Sequence, residues 1–245
     1  LLHAQGCEVD FADGYDLVVA SPGLPVKSEL QLGCEELKRR GWKLLAVTGS
    51  KGKSSVVKVV ADAINLAGGH AVACGNYGVP VSEVAFEDGR RETGDAQVSS
   101  FMLETTTLPP DTFEAVAILN LQEDHLDRHG SVEVYHGLKR KLLTMAKLGF
   151  VGEESDTLKR KGFSFSALWA DSYFDNEILA GNAAMAVELM RVAGLDDATM
   201  AKLGELMEAA EKAAETPVEK TRVKMWRLGI WDYMKPAADA FRVRR

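Results

Sequence analysis

The chain has few of the residues that cross-link a small protein or place it in a membrane. Its 245 residues include three cysteines, Cys7, Cys34 and Cys74, and no two of them have the Cys-x-x-Cys spacing of a redox or zinc motif. We therefore expect reduced, mostly buried thiols rather than disulfides. No apolar run approaches the roughly 20 residues that a membrane span needs, and no secretory pattern is present near the first residue. These features predict a cytoplasmic protein.

An excess of positive charge is also absent. The chain has 29 Lys and Arg against 36 Asp and Glu, which gives a net charge of −7. Nucleic-acid binders usually show a basic footprint, so we expect no nucleic-acid partner, although a local basic phosphate site is compatible with this charge. With 46% hydrophobic and 27% charged residues, the composition is typical of a globular protein with a sizeable core.

Short apolar segments alternate with helical patterns along the chain. The segments that predict buried strands are 16–20, 43–47, 70–74 and 113–121, and those that predict helices are 28–40, 53–67, 131–143, 182–193 and 197–216. This alternation predicts an α/β fold with a mostly parallel sheet. At Gly41 the first strand–helix unit gives way to the segment with the glycine loop, so we predict a domain boundary there, between residues 1–41 and 42–245.

The most specific chemical motif is a glycine-punctuated loop between a predicted strand and a predicted helix. Glycines let backbone N–H groups turn toward phosphate oxygens, and the helix N-terminus adds partial positive charge. In a P-loop, Lys53 would reach the β- and γ-phosphates and Ser54 would bind Mg²⁺. The strict P-loop pattern is not met, because Val47 replaces its first glycine, and the alternative is an ordinary turn with a solvated lysine. The predicted phosphate-binding residues are Gly49, Ser50, Lys51, Gly52, Lys53, Ser54 and Ser55.

Three further segments carry candidate chemistry. Residues 120–129 hold acids and two histidines after a predicted strand, where open α/β sheets bind ligands, although such a loop is often only solvated surface. Residues 135–141 place Lys139 on the next helix, where a lone lysine is normally solvated. Residues 98–104 read as a strand end that runs into a turn with two hydroxyls.

Taken together and in order, these segments resemble the Mur ligase family of peptidoglycan synthesis. The Ser-Ser-Phe-x-Leu-Glu pattern favours the member that adds D-glutamate over its relatives. The segments that carry the resemblance are Ser21-Pro22-Gly23, Thr48 to Ser55, Gly75-Asn76-Tyr77-Gly78, Val98 to Glu104, Asn120 to Arg128, Tyr135 to Lys139 and Asn182-Ala183-Ala184.

The resemblance implies an ATP- and Mg²⁺-dependent amide ligase that acts through an acyl phosphate. Its substrates would be UDP-N-acetylmuramoyl-L-alanine and D-glutamate, and the protein would be a monomer. It implies catalytic roles for Lys53, His125 and Lys139, with His125 at a second Mg²⁺ and Lys139 converted by CO₂ to a metal-binding carbamate. It further implies that Asn182 contacts the nucleotide base, and that Asn76 and Ser99 contact substrate or phosphate.

The sequence also departs from the family pattern. Gln97 stands where a glutamate usually binds Mg²⁺, and an amide is a poorer ligand than a carboxylate. The resemblance makes residues 1–41 the end of a Rossmann-like N-terminal domain and 42–245 the ATP-binding domain, and the amino-acid-binding C-terminal domain is not found. We therefore expect these 245 residues alone to be an incomplete ligase. The alternatives are a ligase like folylpolyglutamate synthase, and a nucleotide-binding or interaction module without ligase activity.

Overall fold

A parallel sheet of five strands organises the part of the chain that the structure describes. The structure is a computed structural model that describes residues 27–86, 93–152 and 177–203, with isolated helical positions at 205, 209 and 212. The strands are β1 (Lys43–Thr48), β2 (Ala71–Gly75), β3 (Thr93–Gln97), β4 (Phe113–Ile118) and β5 (Ala146–Val151). Their order in the sheet is β2-β3-β1-β4-β5, and each neighbouring pair is parallel. The predicted fold class is confirmed.

Helices cover both faces of the sheet, as parallel sheets require. The helices are α1 (Glu29–Arg39), α2 (Lys53–Leu66), α3 (Val81–Phe86), α4 (Ser100–Thr105), α5 (Leu126–His129), α6 (Val132–Lys141), α7 (Glu177–Ala193) and α8 (Asp197–Ala201), with a 3-10 turn at Leu142–Met145. Side chains of α2 and α7 form one apolar core with the sheet, and those of α1, α3 and α4 form the other. The strands are apolar on both faces for this reason, which is why β1 and β4 are nearly continuous hydrophobic runs.

Three serines are the N-caps of helices and form the same kind of hydrogen bond. The hydroxyl of Ser28 accepts a hydrogen bond from the N–H three residues later, at 3.1 Å, and Ser99 and Ser131 do so at 3.3 Å. Each bond satisfies one of the N–H groups that a helix start leaves unpaired. Ser131, the first residue of the predicted 131–143 helix, is the N-cap of α6, and α6 ends at Lys141, two residues before the predicted end.

Several boundaries differ from the sequence prediction. Strand β4 ends at Ile118 rather than at residue 121, because the chain then turns to hydrogen-bond with the loop after β1. The prediction of a turn over residues 98–104 is wrong, since β3 ends at Gln97 and α4 begins after Ser99. The predicted strand at 16–20, the Ser-Pro-Gly segment and most of the predicted helix beyond residue 203 lie outside the described residues.

The predicted domain boundary at Gly41 stays a prediction. Helix α1, which precedes it, packs on the sheet: the Glu29 carboxylate accepts a 2.7 Å bond from the Ser82 N–H, and the Ser28 and Thr106 hydroxyls lie 2.8 Å apart. Cys34 and Cys74 are free and buried. Within the described ranges, the structure has no helix that is long and apolar enough to cross a membrane.

Candidate functional site

The carboxyl ends of three adjacent strands bring the predicted site segments to one edge of the sheet. The glycine loop follows β1, Ser99 follows β3, and the histidine-containing loop follows β4. Strands β3 and β4 pair with β1 on its two sides, so the glycine loop lies between the other two segments. Open parallel sheets bind ligands at this edge.

The glycine loop leads directly into α2 with no side chain capping the helix. Gly52 has the left-handed backbone angle φ 86° and forms the N-cap without a side-chain hydrogen bond. A Cβ atom on Gly52 would lie 1.9 Å from the Asn182 Nδ2 atom, so glycine is required here for space as well as for backbone conformation. The Asn182 side chain is buried, and its Oδ1 atom has no hydrogen-bond partner among the described residues. An unpaired buried acceptor next to the loop is suited to a ligand's N–H group.

The glycine loop is hydrogen-bonded to the loop after β4 through the side chains of Ser50 and Asn120. The Ser50 hydroxyl donates to the Gln122 carbonyl at 3.0 Å, accepts from the Gln122 N–H at 3.0 Å, and lies 3.2 Å from the Tyr135 hydroxyl. The Asn120 amide accepts from the Lys51 N–H at 2.8 Å and donates to the Lys51 carbonyl at 2.9 Å. These bonds fix the loop without using its remaining N–H groups.

Two lysine amines converge on one backbone carbonyl. The Lys53 ammonium donates to the Gly49 carbonyl at 2.9 Å and to the Ser50 carbonyl at 3.1 Å, and Lys139 Nζ donates to the same Gly49 carbonyl at 3.0 Å. Lys139 is 2% exposed, and its Nζ atom lies 4.4 Å from the centre of the Tyr135 ring. Within the described part of the chain, neither amine is hydrogen-bonded to a carboxylate.

Burial weakens the charge on both amines, and repulsion from Lys53 adds to this effect at Lys139. Desolvation, together with the charge of Lys53, lowers the pKa of Lys139 to about 7, against a smaller opposing effect of Asp124. Desolvation also lowers the pKa of Lys53, again opposed by Asp124. A buried lysine with a pKa near 7 alternates between a cation and a nucleophilic amine. Residues with such shifted pKa values are concentrated at functional sites.

Ser54 and Gln97 form the oxygen-rich part of the site. The Ser54 hydroxyl donates to the Gln97 Oε1 atom at 2.9 Å, and Gln97 is 4% exposed. Both oxygens are hard ligands of the kind that Mg²⁺ accepts, but both are neutral. In the described ranges, no three His, Cys, Asp or Glu side chains are grouped so as to hold a metal ion. The residues therefore fit a Mg²⁺ ion held mainly by the phosphates of a nucleotide.

His125 begins α5 at the same edge, in a strained backbone conformation. Its φ of 51° is the only positive φ of a non-glycine residue in the described ranges. Its ring centre lies 5.1 Å from that of Phe101 and 6.1 Å from that of Tyr135. Tyr135 also contacts Ser50 and Lys139, so one tyrosine links His125 to the glycine loop.

The other predicted site residues also lie near this edge of the sheet. The Asn76 side chain is exposed, and its N–H donates to the Gln97 carbonyl at 2.9 Å. The Ser99 hydroxyl caps α4, and Lys51 and Ser55 are exposed at the loop. The structure thus brings every predicted site residue to one side of the sheet, while their roles stay predictions.

Two features of the site were not found from the sequence. Tyr135 and Asn120 lay inside segments that were singled out, but nothing in a sequence shows that they bond to a loop about 70 residues or more away. Asp95, in the middle of β3, is the second: it is fully buried, and neither carboxylate oxygen has a hydrogen-bond partner in the ranges described. Burial raises the pKa of this carboxyl group well above the usual range.

Comparison with known proteins identifies this architecture. Residues 47–160 match the family model described as the Mur ligase middle domain. This region is similar to the middle domain of the Mur ligases. The match begins at the end of β1 and includes the glycine loop, the histidine-containing loop and Lys139, and the predicted resemblance to the family is confirmed.

This chain is similar to curated UDP-N-acetylmuramoylalanine–D-glutamate ligases. The chain is 30% identical over 232 residues to the UDP-N-acetylmuramoylalanine–D-glutamate ligase of Pasteurella multocida, covering 84% of this chain and 51% of that protein. It is 34% identical over 164 residues to the protein of the same name from Thermobifida fusca, covering 60% of this chain and 34% of that protein. The chain thus spans about a third to a half of these relatives.

The solved structures that are similar to this chain include that of a UDP-N-acetylmuramoyl-L-alanyl-D-glutamate–2,6-diaminopimelate ligase. It is 20% identical, with a TM-score of 0.41, and the match covers 55% of this chain and 34% of that one. A likeness at this level carries no argument about the site.

Proposed function

We propose that this chain binds Mg·ATP at the loop of residues 49–55 and is the central domain of a D-glutamate-adding Mur ligase. The observation that carries the proposal is the convergence of the Lys53 and Lys139 amines on the Gly49 carbonyl, at 2.9 and 3.0 Å. Lys53, and Lys139 while it is protonated, add positive charge to the N-terminus of a 14-residue helix at this edge of the sheet. A triphosphate is the ligand whose charge matches that arrangement.

The metal would join the nucleotide to the Ser54 hydroxyl and the Gln97 amide oxygen. Bound there, Mg²⁺ supplies neutralisation of the charge that develops on the transferred phosphoryl group. Lys53 and the loop N–H groups orient the β- and γ-phosphates in the same step. The orphaned Oδ1 atom of Asn182 would accept a hydrogen bond from the nucleotide base.

The buried amine of Lys139 fits the carbamate that the family resemblance implies. With its pKa lowered to about 7, a substantial fraction of Lys139 is neutral near pH 7. The neutral amine adds to CO₂, forming an N–C bond and releasing one proton, so that the neutral amine becomes an anionic oxygen ligand. Asp124 and His125 lie on the loop that follows β4, toward which this ligand would face.

The ligase reaction would take place in two steps. The carboxylate of UDP-N-acetylmuramoyl-L-alanine attacks the γ-phosphorus of ATP and releases ADP. The amine of D-glutamate then attacks the acyl phosphate, the C–N bond forms, and inorganic phosphate leaves with its C–O bond broken. We propose that this activity belongs to the full ligase, in the cytoplasm and as a monomer, and that it requires domains that bind the two substrates.

Calorimetry with ATP and Mg²⁺ tests the nucleotide site. Lys53→Met removes an amine that faces the phosphates, and the matched variant Lys58→Met removes a lysine of the same helix that pairs with Asp62 on the surface. Hydrogen bonds to charged groups contribute about 1.5–3 kcal/mol, so Lys53→Met should weaken ATP binding by about 10- to 100-fold. Lys58→Met should not weaken it. Equal affinities for wild type and Lys53→Met would refute the site.

Amide formation is tested on the full-length gene product. Production of ADP and phosphate that depends on both UDP-N-acetylmuramoyl-L-alanine and D-glutamate is the expected result. ATP binding without any amide product would favour the alternative of a nucleotide-binding module that lacks ligase activity. Acceptance of a folate substrate in place of the UDP-sugar would favour the second ligase alternative.

A further inference from the structure

A second histidine, His129, is wedged between the His125 loop and α4. Its side chain is 2% exposed, its Nδ1 atom lies 3.3 Å from Glu104 Oε1, and its Nε2 atom lies 3.0 Å from Ser100 Oγ. Ser100 and Glu104 are four residues apart and therefore lie on one face of α4. The imidazole of His129 thus joins the end of α5 to α4 at two points.

The Glu104 carboxylate determines which nitrogen of His129 carries the proton. Arg128 donates two hydrogen bonds to Glu104, at 3.3 and 2.8 Å, and these bonds lower the pKa of the Glu104 carboxyl. An ionised carboxylate can only accept, so the Nδ1 atom facing it carries the hydrogen, and the Nε2 atom of the neutral ring accepts from the Ser100 hydroxyl. The network therefore fixes both the orientation and the tautomer of His129.

The rings of His129 and His125 are connected through two shared aromatic neighbours. The Phe101 ring centre lies 5.1 Å from that of His125 and 5.4 Å from that of His129. The Tyr135 ring centre lies 6.1 Å from that of His125 and 5.5 Å from that of His129. The four rings form one cluster, and a movement of His129 would disturb both of the rings that pack against His125.

His125 needs such support because its backbone is strained. The left-handed conformation, with φ 51° and ψ 34°, costs about 1–2 kcal/mol for a residue with a Cβ atom. Strained conformations of this kind persist where the surrounding structure holds them, and they concentrate at functional sites. The His125 ring itself is partly exposed, so the buried bonds that hold its loop are those of His129.

We propose that His129 is a positioning residue: by bonding to Ser100 and Glu104, it holds the His125 imidazole at the edge of the sheet where the glycine loop lies. The claim that His129 positions His125 rests only on the contacts described above. Only what the placed imidazole then does, namely contribute to binding of the nucleotide's metal ion, rests on the proposed function. The experiment below therefore has one readout that needs no nucleotide and one that does.

The first readout is the nuclear Overhauser contact between the His125 and Phe101 rings in the chain without nucleotide. His129→Phe keeps an aromatic ring but removes both hydrogen bonds, and Ser100→Ala removes one of them from the α4 side. The control Thr144→Val removes an exposed hydroxyl that bonds only to its own turn. We expect the contact to be lost in His129→Phe, weakened in Ser100→Ala and unchanged in Thr144→Val. A contact of wild-type intensity in both His129→Phe and Ser100→Ala would overturn the proposal.

The second readout is a double-mutant cycle on the Mg²⁺-dependent part of ATP affinity. Groups that orient a metal ligand typically change metal affinity by about 10- to 100-fold, so His129→Phe should reduce that part by about 10-fold. In a His125→Ala background the same change should have no further effect, because the residue that it positions is gone. Equal losses in both backgrounds would overturn the proposal. If His125→Ala itself leaves Mg·ATP binding unchanged, the metal role in the proposed function fails, and the ring contact still decides whether His129 positions His125.

Discussion

Replacing the buried lysine with methionine should change how the stability of the chain depends on pH. Lys139 is 2% exposed, and its pKa is lowered to about 7 by desolvation first and by the Lys53 charge second. In the unfolded chain the same amine has an ordinary pKa of about 10.4. Between about pH 7 and pH 10 the unfolded state therefore binds a proton that the folded state does not. Stability rises with pH across that window, and Lys139→Met removes this contribution.

The magnitude follows from the size of the shift. A lowering from 10.5 to about 7, at about 1.36 kcal/mol per pKa unit, corresponds to about 4–5 kcal/mol in total. The slope inside the window is at most about 1.4 kcal/mol per pH unit. From pH 7.5 to 9.5 the free energy of unfolding of the wild type should thus rise by about 2–3 kcal/mol more than that of Lys139→Met.

Urea titrations at a series of pH values, in buffer freed of CO₂, measure this difference. Removing CO₂ keeps the amine from being converted to a carbamate. Cys34 and Cys74 are buried with raised pKa values, so they oppose the trend at high pH, but they act equally in both proteins and cancel from the difference. Parallel curves for wild type and Lys139→Met would show that the amine of Lys139 titrates normally and would refute the reasoning.

Three further substitutions test other parts of the site. Gly52→Ala should cost more stability than Gly68→Ala, measured by chemical unfolding: both have positive φ, at 86° and 84°, worth about 1–2 kcal/mol of strain, but only a Cβ at residue 52 meets the Asn182 amide. Gln97→Glu should strengthen the Mg²⁺ dependence of ATP binding in calorimetry, since a carboxylate is the better ligand, and an unchanged dependence would place the metal elsewhere. Asn120→Ala should destabilise the chain by about 1–3 kcal/mol, since it removes two bonds to the glycine loop, and a neutral effect would show that those bonds contribute nothing.

The sequence was sufficient to predict the elements whose pattern is local. Helix α2, with its apolar side and its glycine-rich start, and the strand β1 before it were located to within one residue. Strand β3 was missed, because Thr93-Gly94-Asp95-Ala96-Gln97 contains no apolar run and is buried only through its place between β1 and β2. Tertiary context overrides strand propensity in such a case.

The composition of the site was predictable, but the way its residues touch was not. Lys139 follows Tyr135 by four residues and therefore shares its helix face, and the Lys139 Nζ atom lies over the Tyr135 ring. That the same amine also reaches the Gly49 carbonyl, 90 residues earlier in the chain, depends on the packing of α6 against the sheet edge. No periodicity or motif contains that information, and the pairing of His129 with Ser100 and Glu104 was missed for the same reason.

The bonds between the glycine loop and the loop after β4 have a consequence for the order of folding. Ser50 and Gln122 are separated by 72 positions, and Lys51 and Asn120 by 69, so both contacts close long chain segments. Forming them joins residues on the two sides of the segment from α2 to α4, and closing such a loop costs entropy that local structure does not. A folding intermediate that contains only β1 and α2 therefore has the glycine sequence but not the shaped phosphate site. The ability to retain a nucleotide should consequently arise late in folding, together with the docking of β4 beside β1.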